Sequence, residues 1–384
     1  MSKIEELIEK LCPNGVKFEK IENLTNFEQP TKYIVKSTKY NEEYAIPVLT
    51  AGQSFILGYT NEQNGIYNAS KEKPVIIFDD FTGAFKWVDF PFKVKSSAIK
   101  IITAKNNKTT IRYLYYMMSF LKFCSNEHKR LWISAYSQFK VAVPPLEIQC
   151  EIVHILDDFT ELSAELSAEL KARKKQYEYY NKLLLSFDNG IPVVKLRDII
   201  DFKNGKGHEN VVEKNGKYIL VTSKAISTDM RNVRKTDKNL VPLYYEDIVM
   251  VMSDLPNGKA LAKCFFVDED KKYTLNQRIG CFTNKREDII NTKFLYYILN
   301  RNSQLLKYDN GVEQTNLRKD DILNIDIPIL KKERQIEIIK VLDKFDKLCN
   351  GISEGLPAEI EARQKQYEYY RDKLLTFKEL KVNE

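Results

Sequence analysis

The chain has 384 residues, a net charge of +7 and a 43% apolar fraction that includes 22 tyrosines and 20 phenylalanines. That much apolar material excludes a disordered chain, and the length allows two or three domains. The mild basic excess admits a nucleic-acid partner without requiring one.

Residues 3–12 read as a short charged amphipathic helix, not a secretory leader, and they stop at Cys12-Pro13-Asn14-Gly15. Proline cannot continue the helix, and Asn-Gly tolerates a positive φ. Strands are predicted at 44–50, 74–78 and 97–103, a helix at 110–123 and a closing strand at 141–145. A long apolar seam then runs through 147–187: Ile148, Ile152, Ile155, Phe159, Leu162, Leu166 and, after a stutter at Leu170, Arg173, Tyr177, Tyr180, Leu184 and Phe187. Steps of four and three define a heptad-like helix, about 60 Å long if continuous.

The pattern then repeats. Strands are predicted at 218–222, 247–252, 261–267 and 278–283, a helix at 292–306 and a closing strand at 324–329. A second seam follows from Ile338 to Phe377, interrupted by Gly351, Gly355 and Pro357, so a kink is expected near 351–357. The segment ARKKQYEYYNKLLLSF (172–187) returns as ARQKQYEYYRDKLLTF (362–377) with eleven of sixteen positions identical. Other landmarks align at offsets that grow along the chain. Leu49-Thr50 aligns with Val221-Thr222 and Ile99 with Ile279. Arg112 aligns with Lys293, and Gln149 and Asp157 with Gln335 and Asp343. Small insertions into the second copy give that drift. Asn14-Gly15 and Asn189-Gly190 also correspond, which makes the N-terminal helix the tail of a third, truncated copy.

The expected fold class is therefore α+β: two similar globular domains separated by two long antiparallel helices that form a coiled coil, in a pseudo-twofold cyclic arrangement. Expected boundaries are 1–14 for the N-terminal helix, 15–145 and 189–330 for the two domains, and 146–188 and 331–384 for the helical segments. A lone helix with one apolar seam is marginal in water, so pairing of the two is the economical solution.

The sequence contains no recognisable catalytic constellation. Asn204-Gly205-Lys206-Gly207 lacks phosphate-loop spacing. Six scattered cysteines include no CxxC pair, and His128, His154 and His208 lie far apart, so no metal is expected. The acidic stretches Asp79-Asp80 and Asp268-Glu269-Asp270 read most simply as turns. Trp87 and Tyr59 read more readily as core than as ligand contacts. No apolar run is long enough for a transmembrane helix, and a cytoplasmic location is expected.

Two divergent domains between near-identical amphipathic segments resemble the specificity subunit of type I restriction–modification enzymes. The resemblance spans the whole chain. It rests on the paired QYEYY helices, Leu156-Asp157 and Leu342-Asp343, the exits at Pro144 and Pro328, and IPVLTAG (46–52) with VIIFDDFTGAFK (75–86). It implies that each domain reads one half of a split, asymmetric duplex DNA site. The helices would set the spacing and dock two methyltransferase subunits, and restriction subunits would join for cleavage. S-adenosylmethionine, ATP and Mg would serve those partners, leaving this chain with no catalytic site and no cofactor.

Residue types suited to base edges or phosphates, placed near strand ends, nominate Thr50, Gln53, Thr82, Lys86 and Ser97 in the first domain. In the second they nominate Thr222, Lys224, Arg231, Arg234, Asn257, Lys259, Gln277 and Arg278. Arg173, Tyr179, Arg363 and Tyr369 are the candidate partner-binding residues of the helices, where tyrosines that only pack the coiled coil are an equal alternative. Two other classes stay open at this point: a coiled-coil scaffold joining two protein-binding domains, and a self-sufficient DNA enzyme.

Overall fold

The computed structural model describes residues 3–52, 54–123, 130–187, 190–208, 212–213, 215–256, 258–351 and 354–380. The chain forms two compact units, residues 1–164 with 362–384, and residues 165–361.

The first unit opens with α1 (Lys3–Leu11), β1 (Lys17–Lys20), α2 (Ile21–Leu24) and β2 (Thr25–Glu28). Strands β3 (Ile46–Leu49), β4 (Ile56–Thr60), β5 (Val75–Asp79), β6 (Phe85–Val88), β7 (Lys93–Val94) and β8 (Ile99–Ala104) follow. Then come α3 (Ile111–Phe120), α4 (Leu131–Ser134), β9 (Lys140–Val143) and the first part of the long helix α5 (Leu146–Leu184). One sheet runs β2-β8-β5-β6 and a second β4-β3-β7, while β1 pairs with β9. The central strand β5, VIIFD, is buried along Val75–Phe78 because its Val, Ile and Phe side chains are covered on both faces. Ile76 and Phe78 face the core that holds α3 and Trp132, and Val75 and Ile77 face the core under β3 and β7. This alternation is the period of two in a strand.

The last helix, α12 (Leu356–Leu375), joins this unit from Ala362 onward. Leu374 and Leu375 enter the same core as Ile148, Ile152 and Leu156 of α5, and Phe159 stacks on Tyr370 with ring centroids 5.5 Å apart. Helix α1 lies beside both, through ion pairs Lys3–Glu151 (2.5 Å) and Glu5–Lys373 (3.4 Å). The two ends of the chain also meet: the Val16 amide donates to the Lys378 carbonyl, and the Leu380 amide donates to the Val16 carbonyl.

The second unit repeats the plan. It holds β10 (Val193–Lys195), α6 (Leu196–Ile199), β11 (Ile200–Asn204), β12 (Val212–Glu213), β13 (Tyr218–Val221), α7 (Ser223–Ser227) and β14 (Arg234–Thr236). Next are β15 (Ile248–Val251), β16 (Ser253–Asp254), β17 (Cys264–Phe266), β18 (Tyr273–Leu275), β19 (Ile279–Asn284) and α8 (Thr292–Leu299). The remainder is α9 (Ser303–Leu306), β20 (Thr315–Asn316), α10 (Lys319–Leu323), β21 (Asp326–Pro328) and α11 (Lys332–Asn350). Sheets run β11-β19-β15-β17 and β12-β14-β13-β18, with β10 on β21 and β16 on β20. Here α11 packs antiparallel on the second half of α5. Tyr177 and Tyr180 both stack on Phe345, the charges of Arg173 and Lys174 bear on Cys349 further along α11, and Leu184 joins the core that holds Ile338 and Leu342.

The equivalence of the units extends to single main-chain bonds. Ile21 donates to Phe139 as Leu196 does to Ile325, and Lys105 donates to Leu24 as Lys285 does to Ile199. A buried glutamine anchors each long helix. Gln149 accepts from Thr109 Oγ1 and the Thr110 amide and donates to the carbonyls of Lys108 and Pro144. Gln335 accepts from the Asn291 amide and donates to the carbonyls of Ile289 and Leu330. About two turns further along, Asp157 accepts from Tyr116 (2.5 Å) and Arg112 (2.7 Å), and Asp343 accepts from Tyr297, with Lys293 at 3.7 Å. Burial, reinforced by the neighbouring carboxylate, raises both phenols above their ordinary pKa, so each remains a proton donor at neutral pH.

Two local expectations are corrected. The helix predicted at 292–306 breaks after Leu299, because Arg301 takes a left-handed φ of 57° and Asn302 starts a new helix by accepting from the Gln304 amide. The strand predicted at 261–267 shrinks to Cys264–Phe266, since Ala262 has φ 55°. The break expected near 351–357 is present: the long helix of the second copy is two helices, α11 ending at Asn350 and α12 starting at Leu356. A side chain at Gly351 would meet the Glu354 and Lys347 carbonyls at 2.2 and 2.5 Å, and Gly355 has φ +94°.

Candidate nucleic-acid interface

In each unit the two sheets bring several strand ends to one edge. In the first, β3 and β7 run parallel, and the Lys95 amide donates to the Leu49 carbonyl just past their ends. The Asp80 amide, past the end of β5, donates to the Ala98 carbonyl at the start of β8. The second unit copies both bonds: Asn276 donates to Val221 past the ends of parallel β13 and β18, and Met252 donates to Arg278.

Between these fixed points the first unit has two residues, Ser96 and Ser97, and the second has one, Gln277. The shorter connection coincides with a left-handed φ of 65° at Arg278, a conformation that costs an arginine about 1–2 kcal/mol. The nodes beneath differ in kind. Asp80 is buried, pairs with Lys100 at 3.1 Å and accepts from the Trp132 amide. Its counterpart Met252 packs with Phe202 over Gly280, the counterpart of Lys100, where an added side chain would come within 2.9 Å of both. One backbone plan thus carries an ion pair in one copy and an apolar contact in the other.

The nominated residues fall on these edges unevenly. Thr50 follows β3, and its hydroxyl is engaged locally, accepting from the Gly52 amide and donating to the Ser54 carbonyl. Thr82 is exposed at the β5–β6 turn, with its amide bonded to Asp79, and Ser97 is exposed beside Ala98. Lys86 lies further in on β6, opposite Ile77. Gln53 and Asn257 lie outside the described residues.

In the second unit Thr222 caps α7 by accepting from the Ala225 amide, and Lys224 is exposed in that helix. Arg234 is exposed on β14 opposite Leu220, close to the same edge. Lys259 is exposed in a loop that Asp254 organises by accepting from the amides of Leu255, Ala260 and Leu261. Gln277 and Arg278 are exposed at the head of β19. Arg231 is placed apart: with Met230, Pro357 and Glu361 it lines a cavity of about 390 Å³ beside the start of α12. This placement has no signature in the sequence, because a surface arginine after a short helix reads alike in either setting.

On the helices, Arg173 pairs with Glu169 and Gln176, and Arg363 with Gln366. Tyr179 and Tyr369 are each 64% exposed, edge-on to Tyr180 and Tyr370 at 5.4 and 5.3 Å. Two copies of one surface feature are preserved while the strand-end edges differ.

The acidic candidates resolve as structural. Asp79 holds its turn by accepting from the Phe81 and Thr82 amides. Asp268 accepts from Tyr273, Glu269 pairs with Lys272, and Asp270 accepts from the Tyr245 amide. Trp87 lies under Arg112 and beside Tyr115, as expected of core. Lys95 and Asn276 were missed by the sequence reading, although each follows its strand directly, as Thr50 and Thr222 follow theirs.

Two copies of one α+β scaffold, each pinned to an amphipathic helix and each bearing its own set of polar and cationic residues at the strand ends, define a two-domain recognition subunit. The chain belongs to the type I restriction modification DNA specificity family, whose model matches residues 13–173 and 189–362. It is 42% identical to the specificity subunit of an Escherichia coli type I restriction enzyme, over 98% of this chain and 97% of that one. Its fold is similar to the crystal structure of a type I restriction–modification S subunit from M. genitalium, with a TM-score of 0.64 at 13% identity over 94% and 96% of the chains. A chain from a study of complex assembly and conformational transition of the type I system matches with a TM-score of 0.52 at 13% identity, over 95% and 98%. Among the described residues no helix is long and apolar enough to cross a membrane.

Proposed function

We propose that this specificity subunit reads a bipartite, asymmetric duplex DNA site, each unit taking one half, within a complex that contains two methyltransferase subunits and, for cleavage, restriction subunits. The observation that carries the reading is the contrast within each copy. The helix anchors Gln149/Gln335 and Asp157/Asp343 keep the same kinds of partner, while the strand-end edges, apart from the shared Thr50 and Thr222, differ. A preserved mount with a varied edge is what two readers of different sequences require.

The matched tyrosine pairs at 179–180 and 369–370, with Arg173 and Arg363 one to two turns before them, fit two copies of one docking partner. The paired helices suit a spacer, because a duplex presents the same groove once per turn, about 34 Å, and only a stiff connection holds two readers in phase. Chemistry falls to the partners, with S-adenosylmethionine, ATP and Mg acting there, and the work is done in the cytoplasm beside the DNA.

The test is binding of a duplex carrying the site by the complex of this chain with its methyltransferase subunits, as a function of salt. With several cationic side chains on phosphates, affinity is expected to fall at least 100-fold between about 50 and 200 mM salt. Specific binding by a complex lacking this chain, or no binding by the full complex at low salt, refutes the reading.

A further inference from the structure

We propose that Lys95 and Asn276 are equivalent base-reading residues, Lys95 for a guanine in one half-site and Asn276 for an adenine in the other. The proposal rests on the reading of the chain as a two-half-site DNA subunit. The two residues hold one position in the fold. Each follows the second strand of a parallel pair, and each amide donates to the last residue of the first strand, Leu49 at 3.0 Å and Val221 at 3.2 Å. Their backbones are therefore set by the sheet and not by a free loop, which is the precision that base reading needs.

Thr50 and Thr222 stand beside them across the strand pair, but both hydroxyls serve local turns. Lys95 and Asn276 are held far less. Lys95 is exposed, and among the described residues its Nζ meets Tyr40 alone, 3.5 Å from the hydroxyl and 5.9 Å from the ring centroid. Asn276 has its side-chain carbonyl Oδ1 buried with no hydrogen-bond partner among the described residues. Such an idle acceptor is destabilising in the free protein. A rotation that offers the amide to a base pair gives up no bond of that oxygen and satisfies it.

The close backbone contact at Asn276 fixes its place further. Lys206 bridges to it, and a side chain at Gly205 would lie 1.8 Å from the Asn276 carbonyl oxygen. The neighbouring Arg278, held left-handed, adds a cation to the same edge. The chemistry then assigns the bases. A lysine offers only donors and matches the two acceptors of guanine in the major groove, O6 and N7. An asparagine offers one donor and one acceptor and matches adenine N7 and N6.

The experiment uses the complex with its methyltransferase subunits and duplexes in which each base pair of the mapped methylation site is changed singly. Asn276→Ala is expected to erase discrimination at one A·T pair of one half, by about 10-fold or more, and to leave the other half untouched. Lys95→Ala is expected to do the same at one G·C pair of the opposite half, so each variant controls for the other. Asn276→Asp keeps the shape and removes the donor, and its loss should fall on the same A·T pair. Unchanged discrimination, or a loss equal across all duplexes, overturns the assignment while leaving the two-half-site reading intact. A wild-type complex that shows no base dependence in either half overturns that reading as well.

Discussion

Replacing Gln149 with leucine is expected to destabilise the first unit by on the order of 4 kcal/mol. The side chain is fully buried, and its loss leaves the Thr109 hydroxyl, the Thr110 amide and the carbonyls of Lys108 and Pro144 without their partner. A buried polar group without a partner costs about 1–3 kcal/mol, and two of these four bonds are fully buried, so the sum exceeds an ordinary core substitution. Leucine has nearly the volume of glutamine, so the loss is one of hydrogen bonds and not of packing. Both tryptophans, Trp87 and Trp132, lie in the first unit. Their fluorescence during urea unfolding therefore follows that unit alone. Gln149→Leu should move the tryptophan transition to lower urea. Gln335→Leu should leave it in place and lower only the part of the circular dichroism that belongs to the second unit. A shift at Gln149 of less than about 1 kcal/mol would mean that water satisfies these groups and that the glutamine is not the anchor.

Replacing Arg278 with glycine is expected to move stability and binding in opposite directions. The backbone at 278 has φ 65°, where glycine carries no steric penalty, so the variant should be as stable as the parent or more so by up to about 1 kcal/mol. The same change removes an exposed guanidinium at the head of β19. If that guanidinium meets the duplex, affinity should fall by roughly 10-fold or more, whether it contacts a phosphate or a guanine edge. A thermal melt and a binding isotherm on one preparation decide it. Stability and affinity falling together would mark Arg278 as structural. Unchanged affinity would remove it from the interface.

Both predictions concern places where the two copies can be compared, and the comparison explains what could be read in advance. Gln149, Asp157, Gln335 and Asp343 stood out as aligned landmarks because each closes a polar network at the root of a long helix. Such a network tolerates little change in either copy. The buried strands were legible because VIIFD and IVMV bury almost every side chain. Strand β1, KFEK, was not legible: it is charged and short, and its pairing with β9 is a tertiary fact. The break at Asn300–Asn302 was hidden for a similar reason, since FLYYILNRNSQLL is apolar enough to continue as helix.

The edges were legible only as classes of residue. Sequence spacing placed Thr222, Gln277 and Arg278 near strand ends, but it could not show that Arg231 turns toward the start of α12. Nor could it show that one residue fewer between Asn276 and Arg278 goes with a strained backbone. Lys95 and Asn276 were overlooked because their importance lies in a main-chain bond to the neighbouring strand, which no side-chain pattern records.

The most direct measurement of the central claim is the genome-wide pattern of methylated bases in cells that carry the partner methyltransferase genes, with and without the gene for this chain. A split motif of two short defined halves separated by a fixed gap should be methylated in its presence and lost in its absence. Exchanging residues 191–329 for the corresponding domain of a relative should change one half and spare the other. A methylation pattern identical with and without this chain, or a domain exchange that alters both halves or neither, would contradict the account.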